Sequence, residues 1–415
     1  MTLVWVLSAI IMIVLPQLFS SGFAITLMSQ MGIMIVFCLS YNMLLGQGGM
    51  LSFGHAVYSG LGAFYAIHTM NWMAQGAPWL PVSLIPLVGG LAGAFFGIVL
   101  GFVTTKKSGT TFAMITLGIG ELVFAMSLMF PDFFGGEGGI TTDRVIGQPF
   151  MGITFGSGIQ VYYLIAVWCL LSMVGMYAFS CTPLGRISNA VRDNPERAEF
   201  IGYNTQRVRY LVLIVSAFFA GISGGLSAIN FEIVSAENVS AIRSGGVLLA
   251  TFIGGSMFFG GPIIGAIVFV LFAVALSDYT RAWQFYLGAF FVLMVLFAPG
   301  GLASLIMMNV RMVRQRMIGR LLPHYLAVLV TGAVLLAATI LVIELGYHRL
   351  LEAGGDPTTT VFGIAFDTAS GATWAAVIAL LVVGGAGFRW AQQRFIGAWD
   401  AAEAAVLASG VPAPR

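Results

Sequence analysis

Five arginines and three carboxylates crowd one stretch, Thr182–Tyr210, in a chain that is otherwise almost without charge. Arg186, Arg192, Arg197, Arg207 and Arg209 are interleaved with Asp193, Glu196 and Glu199. Residues in this pattern bind rather than make bonds. Leu184, Ile187, Val191, Ala198 and Ile201 recur at helical spacing, so the spacing predicts a short amphipathic helix over Leu184–Ile201, broken at Asn194–Pro195 and closed by Gly202. A charged helix with an apolar seam suits a groove on a soluble partner. The plainer reading is a basic loop that only sets membrane topology.

A second group lies in Ser40–Ala63, SYNMLLGQGGMLSFGHAVYSGLGA, where six glycines interrupt two apolar segments around Gln47, Ser52, Gly54 and His55. Glycines allow close helix approach and local unwinding. A broken helix in a bilayer exposes backbone polar groups, and its half-helix ends suit a zwitterionic solute. Tight packing by small residues, with His55 a satisfied buried donor, is the competing reading. Glu121 is the only acid near the middle of an apolar run, where a charge costs about 2.5–3.5 kcal/mol on insertion scales. It is either a contact for a solute's ammonium group or a partner in a helix–helix hydrogen bond.

Other chemistry is missing from the sequence. There is no G-x-x-x-x-G-K-[ST] phosphate loop, and Lys106 and Lys107 follow no glycine-rich turn. His55, His68, His324 and His348 are scattered, and no nucleophile–base set is visible. Cys38, Cys169 and Cys181 read as small hydrophobes, in an odd number that argues against a disulfide framework.

The elements that hold these groups follow from composition. Of 415 residues 59% are hydrophobic and 8% charged, against about 25% charged in a soluble domain. The chain therefore lives in a membrane, and with about 20 residues per span it has roughly ten helical spans, without the alternation of a β-barrel. The apolar N-terminus lacks a basic n-region and reads as a retained first span. Placing Lys106-Lys107 and the 182–210 island inside makes simple alternation work through residue 230, with the N-terminus inside. The cluster Arg311, Arg314, Arg316 and Arg320 must then also be inside, which needs an odd number of crossings after Arg243. We therefore expect 246–277 to be a broken, re-entrant hairpin bent at Gly254-Gly255 and Gly260-Gly261-Pro262, rather than one kinked helix. On this topology fourteen of the eighteen Lys/Arg are inside; Arg144, Arg243, Arg281 and Arg349 are outside.

Several motifs, in order, resemble permease subunits of ABC importers, in the version found for branched-chain amino acids. Gly185-Arg186, Ala190–Asn194, Glu196–Ala198 and Ile201–Asn204 resemble the cytoplasmic coupling loop. Tyr41-Asn42-x-x-x-Gly46-x-x-Gly49 with Ser52–His55 resembles a signature of the same family. So do Phe112–Leu117, the Gly135–Ile140 loop, Ile253–Pro262, Trp283, Tyr286–Gly288 and the helix stop in Phe297–Leu302. The resemblance spans roughly residues 20–310.

It implies an all-α polytopic fold with a permease domain over 1–310. Beyond it we expect a basic cytoplasmic linker at 311–322, an additional membrane hairpin at 323–388 with an outside loop containing Gly354–Pro357, and a cytoplasmic tail at 389–415. The implied coupling residues are Gly185, Arg186, Arg192, Asn194, Glu196, Arg197 and Gly202. The implied translocation path holds Gln47, Ser52, Gly54, His55, Glu121, Gly254 and Gly255. The implied setting is the bacterial inner membrane, with a second related permease subunit (a heterodimer), two cytoplasmic ATPases and a periplasmic solute-binding protein. No cofactor, metal or nucleic acid is expected. Relatives of this kind serve branched-chain amino acids, but also urea, short amides and aromatic acids. The alternative is an ATP-independent secondary transporter or channel that uses Glu121.

Overall fold

The computed structural model describes residues 2–76, 80–145, 154–314, 318–351 and 358–408. Its helices are α1 (Thr2–Leu18), α2 (Gly22–Asn42), α3 (Ala56–Gln75), α4 (Ile85–Thr104), α5 (Thr110–Met129), α6 (Pro131–Phe134), α7 (Gly158–Cys181), α8 (Pro183–Asp193), α9 (Pro195–Phe200) and α10 (Thr205–Phe231). They continue with α11 (Ala241–Gly254), α12 (Gly261–Val270), α13 (Trp283–Phe297), α14 (Gly301–Arg314), α15 (Ile318–Leu351) and α16 (Gly371–Ala408). Among the described residues seven are long and apolar enough to cross a membrane, or eight if α13 and the start of α14, bent by 52° at the Pro-Gly-Gly break, form one span.

The expected count of about ten also included α1, which is short, and α3, which is too polar to pass as a lipid-facing span. Physically, α3 has no need to be apolar. Ser59, Gly60, Gly62 and His55 just before it are buried by protein, not lipid. Helices on the outside show the opposite pattern. Leu91, Phe95, Ile98 and Phe102 make an exposed apolar stripe on α4, the face a bilayer solvates.

The chain divides into two compact units, 1–305 and 306–415. In the first, α10 is the central helix, packed against α3, α4 and α2. Close approach there depends on missing side chains. A Cβ on Gly224 would run into the Ser59 carbonyl, and one on Gly221 into that of Gly89. The core is filled by Phe37, Tyr41, Phe64 and Phe112, all essentially unexposed.

Residues 246–277 do form two arms rather than one helix. α11 and α12 are separated by Gly255–Gly260 and run back along one another, with Gly265 seated against Ala250 and Gly261 against Gly254. α12 passes into a π-helical turn at Leu271–Leu276. The Gly135–Ile140 loop is pinned: a two-residue antiparallel ladder pairs β1 (Ile140–Thr141) with β2 (Ile233–Val234), and Gly135, Gly136 and Gly139 all take positive φ.

In the second unit α15 and α16 run antiparallel, with Gly384 against Leu335, Gly387 against Thr331, and Tyr325 ringed by Phe395 at 4.8 Å. They are joined by a hairpin of β3 (Thr358–Val361) and β4 (Ile364–Asp367) turning at Phe362-Gly363, where both φ are positive, as a tight two-residue hairpin turn requires. Gly354–Pro357, expected in the outside loop, lie outside the described residues, as do Arg316 and Arg415. α16 runs on past Arg389 to Ala408.

Candidate functional site

After Asn42 the α2 helix widens into a π-turn over Met43–Gln47, an arrangement that is rare and concentrated at functional sites. Residues 48–55 then cross the bundle without helical structure. Inside a bilayer such a segment survives only if neighbours satisfy its backbone; Gly48, Gly49 and Met50 bond back to the carbonyls of Leu44 and Leu45, and hydroxyls serve the rest of the segment and the helix ends beside it. Thr116 of α5 accepts from the Phe53 N–H at 3.2 Å, and Ser244 of α11 accepts from the Ala56 N–H at 3.0 Å. Tyr41 donates to the Ser52 carbonyl at 3.0 Å, and Ser216 of α10 donates to that of Ser40 at 2.6 Å.

His55 is fully buried at the start of α3. Its Nε2 lies 3.0 Å from Ser40 Oγ, which is itself 2.7 Å from the Phe37 carbonyl. One hydroxyl has one proton; if it goes to that carbonyl, Nε2 carries the imidazole hydrogen and Nδ1 is left as an acceptor. Among the described residues Nδ1 has no protein partner, and neither have the buried oxygens of Asn42, Gln47 and Ser52. Four buried polar atoms between Asn42 and His55, unsatisfied among the described residues, make this part of the interior polar. The His55 ring stacks on Phe37 at 5.6 Å and meets Tyr41 edge-on at 5.3 Å.

The charged stretch is built locally. Thr182 caps α8 by accepting from the Gly185 N–H at 3.2 Å, Asn194 caps α9 by accepting from that of Arg197 at 2.9 Å, and Asn204 caps α10 through Arg207 at 2.9 Å. Gly202, at φ +95°, ends α9: its N–H donates to Glu199 O and the Tyr203 N–H to Ala198 O, the paired bonds of a Schellman close. Gly185 lets α8 turn tightly on the end of α7, because a Cβ there would crowd the Ser180 backbone at 2.9 Å.

Its apolar seam faces inward. Val191 and Ala198 are buried with Gly185 and Ser188, whereas Ile201 is 69% and Phe200 91% exposed. Arg186, Asn194, Glu196 and Arg197 are exposed. Arg192 pairs with Asp193 at 2.8 Å, a surface pair of little energetic weight, about 0–1 kcal/mol.

The two regions meet. Arg192 donates to the Gly46 carbonyl, its stem lies across Gly49 (φ +64°), and Ser188 donates to the Gln47 carbonyl at 3.2 Å. From the other side, a Cβ on Gly46 would overlap the Ser256 carbonyl, so the turn of the α11–α12 hairpin presses on the same residues. Gly255 in turn packs on Gly300 and Gly301. Residues 46–49 are thus the point where α8, the broken segment and the glycine corner converge. Gln47, Ser52, Gly54, His55, Gly254 and Gly255 all belong to this region, with Gly54 seated on Thr116. Glu121 does not: it is exposed on the outer face of α5, one residue beyond Gly120, which faces Gly54. No three metal-ligating side chains gather among the described residues.

Sequence reasoning missed Ser40, Thr116, Ser188, Ser216 and Ser244. Each is a single hydroxyl, in or beside an apolar run except for Ser188 in the charged stretch, and no periodicity announces a partner far away in the chain.

A family model for the branched-chain amino acid transport system permease component matches residues 23–338. The chain is 28% identical over 291 residues to the high-affinity branched-chain amino acid transport system permease protein LivM of Escherichia coli (strain K12), covering 65% of this chain and 67% of that one. It is 27% identical over 314 residues to LivM of Salmonella typhimurium, covering 71% and 72%. It is also 25% identical over 253 residues to the guanosine ABC transporter permease protein NupQ of Bacillus subtilis, covering 56% and 74%. No solved structure matches the chain.

Proposed function

The chain belongs to the family of branched-chain amino acid transport system permease components, and from that premise we propose that it conducts a small amphipathic solute across the bacterial inner membrane, driven by ATP hydrolysed on separate subunits. The observation that carries this reading is the direct attachment of α8 to the break in α2–α3, through Arg192 to Gly46 O and Ser188 to Gln47 O. A cytoplasmic ATPase pair grips the outward side of α8–α9: Arg186, Asn194, Glu196 and Arg197, with Phe200 and Ile201 as apolar anchors. Closure of the ATPases displaces α8, and the displacement passes to residues 46–49 and opens the polar interior to one side or the other. A periplasmic binding protein delivers the solute.

A second, related permease subunit covers the outer face of α5. Met114, Gly118, Glu121 and Ala125 are exposed there at helical spacing. A carboxylate left against lipid would cost about 2.5–3.5 kcal/mol, which a partner subunit or a shared aqueous cavity removes. The position of Glu121 also weighs against ATP-independent, Glu121-coupled transport, because the carboxylate stands apart from His55 and the broken segment.

Co-purification tests the reading. The wild-type chain is expected to retain its ATPase subunits and to support ATP-driven uptake in proteoliposomes. Exchanging Arg186 and Glu196 together should strip the ATPases away. Retention of full ATPase binding and uptake by that variant would overturn the coupling assignment. A cysteine at the exposed Phe200 should react with an impermeant maleimide only from the cytoplasmic side.

A further inference from the structure

Two arginines at the same end of the first unit are held very differently. Arg144 is saturated: it pairs with Glu232 at 3.4 Å and donates to the carbonyls of Phe155 at 2.7 Å, Gly156 at 3.3 Å and Asn230 at 3.4 Å. Arg243, in the first turn of α11, is partly buried and has no carboxylate partner among the described residues. Its guanidinium has one long contact to Ser227 Oγ at 3.5 Å and lies over the Phe37 ring at 5.9 Å.

The rest of its donors open onto a cavity of about 260 Å³. Gln30 is the other polar side chain in the lining, and the walls are otherwise apolar, among them Met34, Phe37, Phe269 and Val270. Gly246, one turn beyond Arg243, is what admits the Phe269 ring: a Cβ there would sit 3.0 Å from it. An unpaired guanidinium inside an apolar shell is costly unless something satisfies it. Its planar fork of donors matches a carboxylate, and the N-terminal end of α11, capped by Ser240, adds favourable potential for an anion. A volume just below the usual range for ligand sites, about 300–1,000 Å³, fits a compact solute and not an extended one.

We infer that Arg243 and the cavity between α2, α11 and the π-turn after α12 bind the carboxylate of a small solute whose apolar side chain lies against Phe37, Phe269 and Val270. This rests on the reading of the chain as a solute-conducting permease and narrows the cargo to carboxylates with an apolar tail. Arg243 lies over the same Phe37 ring on which His55 stacks. A solute held at Arg243 is one aromatic ring away from the polar interior.

The test uses the full chain with its partner subunits in lipid nanodiscs. Ala273, in the cavity wall, is replaced by cysteine in a Cys181→Ser background, and its reaction with a methanethiosulfonate is followed. The probes are L-leucine, 4-methylpentanoate (the acid without the ammonium) and L-leucinamide (the ammonium without the acid). Saturable protection by the two acids and none by the amide is expected. Arg243→Gln should raise the half-protecting concentration at least tenfold, and Arg243→Lys should raise it less. Equal protection by leucinamide, or protection unchanged in Arg243→Gln, would overturn the inference. So would protection that follows the phosphatidylglycerol content of the nanodisc, which would assign Arg243 to a lipid headgroup. Labelling needs neither ATP nor a binding protein, so failure of ATPase recruitment would leave this result standing, and the reverse.

Discussion

The broken segment at residues 43–55 and the charged helices at 183–200 are both short, irregular and polar, yet they are held in opposite ways. The charged helices are determined within their own sequence: Thr182, Asn194 and Asn204 cap, Pro183 and Pro195 start, and Gly202 stops. The broken segment is held from outside: Thr116 bonds Phe53 within it, and Ser216 and Ser244 bond Ser40 and Ala56 on the helix ends that flank it, each from a separate helix. A piece that carries its own stops can be pushed as a rigid body. A piece held by single hydroxyls of surrounding helices is positioned to change when those helices shift. That difference suits the lever and gate proposed above, with residues 46–49 as the place where the two parts of the chain meet.

The contrast is broken most severely at Gly46. Gly46→Val places side-chain atoms into the Ser256 carbonyl and the Asn42 side chain. Overpacking of this kind costs about 1–3 kcal/mol or more, and we expect uptake to fall more than tenfold with a clear drop in the thermal midpoint of the purified complex. Ser244→Ala leaves the buried Ala56 N–H without its acceptor, a loss of about 1–3 kcal/mol. The thermal midpoint should fall, and Ser244→Thr should restore it. Arg192→Ala separates the two functions: ATPases should still co-purify and hydrolyse ATP, while uptake per ATP falls several-fold. Smallest is Asp193→Asn, which removes only the surface pair with Arg192. Its effect on stability should stay within about 0.5 kcal/mol, and uptake should be unchanged.

The same contrast explains what can be read from the sequence. Caps and stops act over three or four residues, so Asn194–Pro195 and Gly202 are legible in the residue order alone as the middle and end of a helix. The Gly254–Pro262 bend is legible for a related reason: residues 246–277 are too few for two full spans of about 20 each, and glycine pairs mark the turn. The burial of the apolar seam of α8 is not, since periodicity gives a face but not what covers it. Nor is the placement of Glu121, because an acid at mid-span looks the same whether it points into the bundle or out of it. Arg243 is hidden by a rule that counts charges by loop. The Lys/Arg balance sets it among outside residues, whereas Ser240 capping α11 draws it into the first turn of an apolar helix.

The attachment of α8 to the break can be tested by locking it. Ser188 Oγ lies 3.2 Å from the Gln47 main-chain carbonyl, so cysteines at 47 and 188 should be within reach of a short, reducible bifunctional reagent in the assembled transporter. If the two move as one body, the cross-linked complex should keep ATP-driven uptake near that of the same protein after reduction. Uptake abolished by the cross-link and restored by reducing it would mean that helix and break part during the cycle, and would contradict the lever.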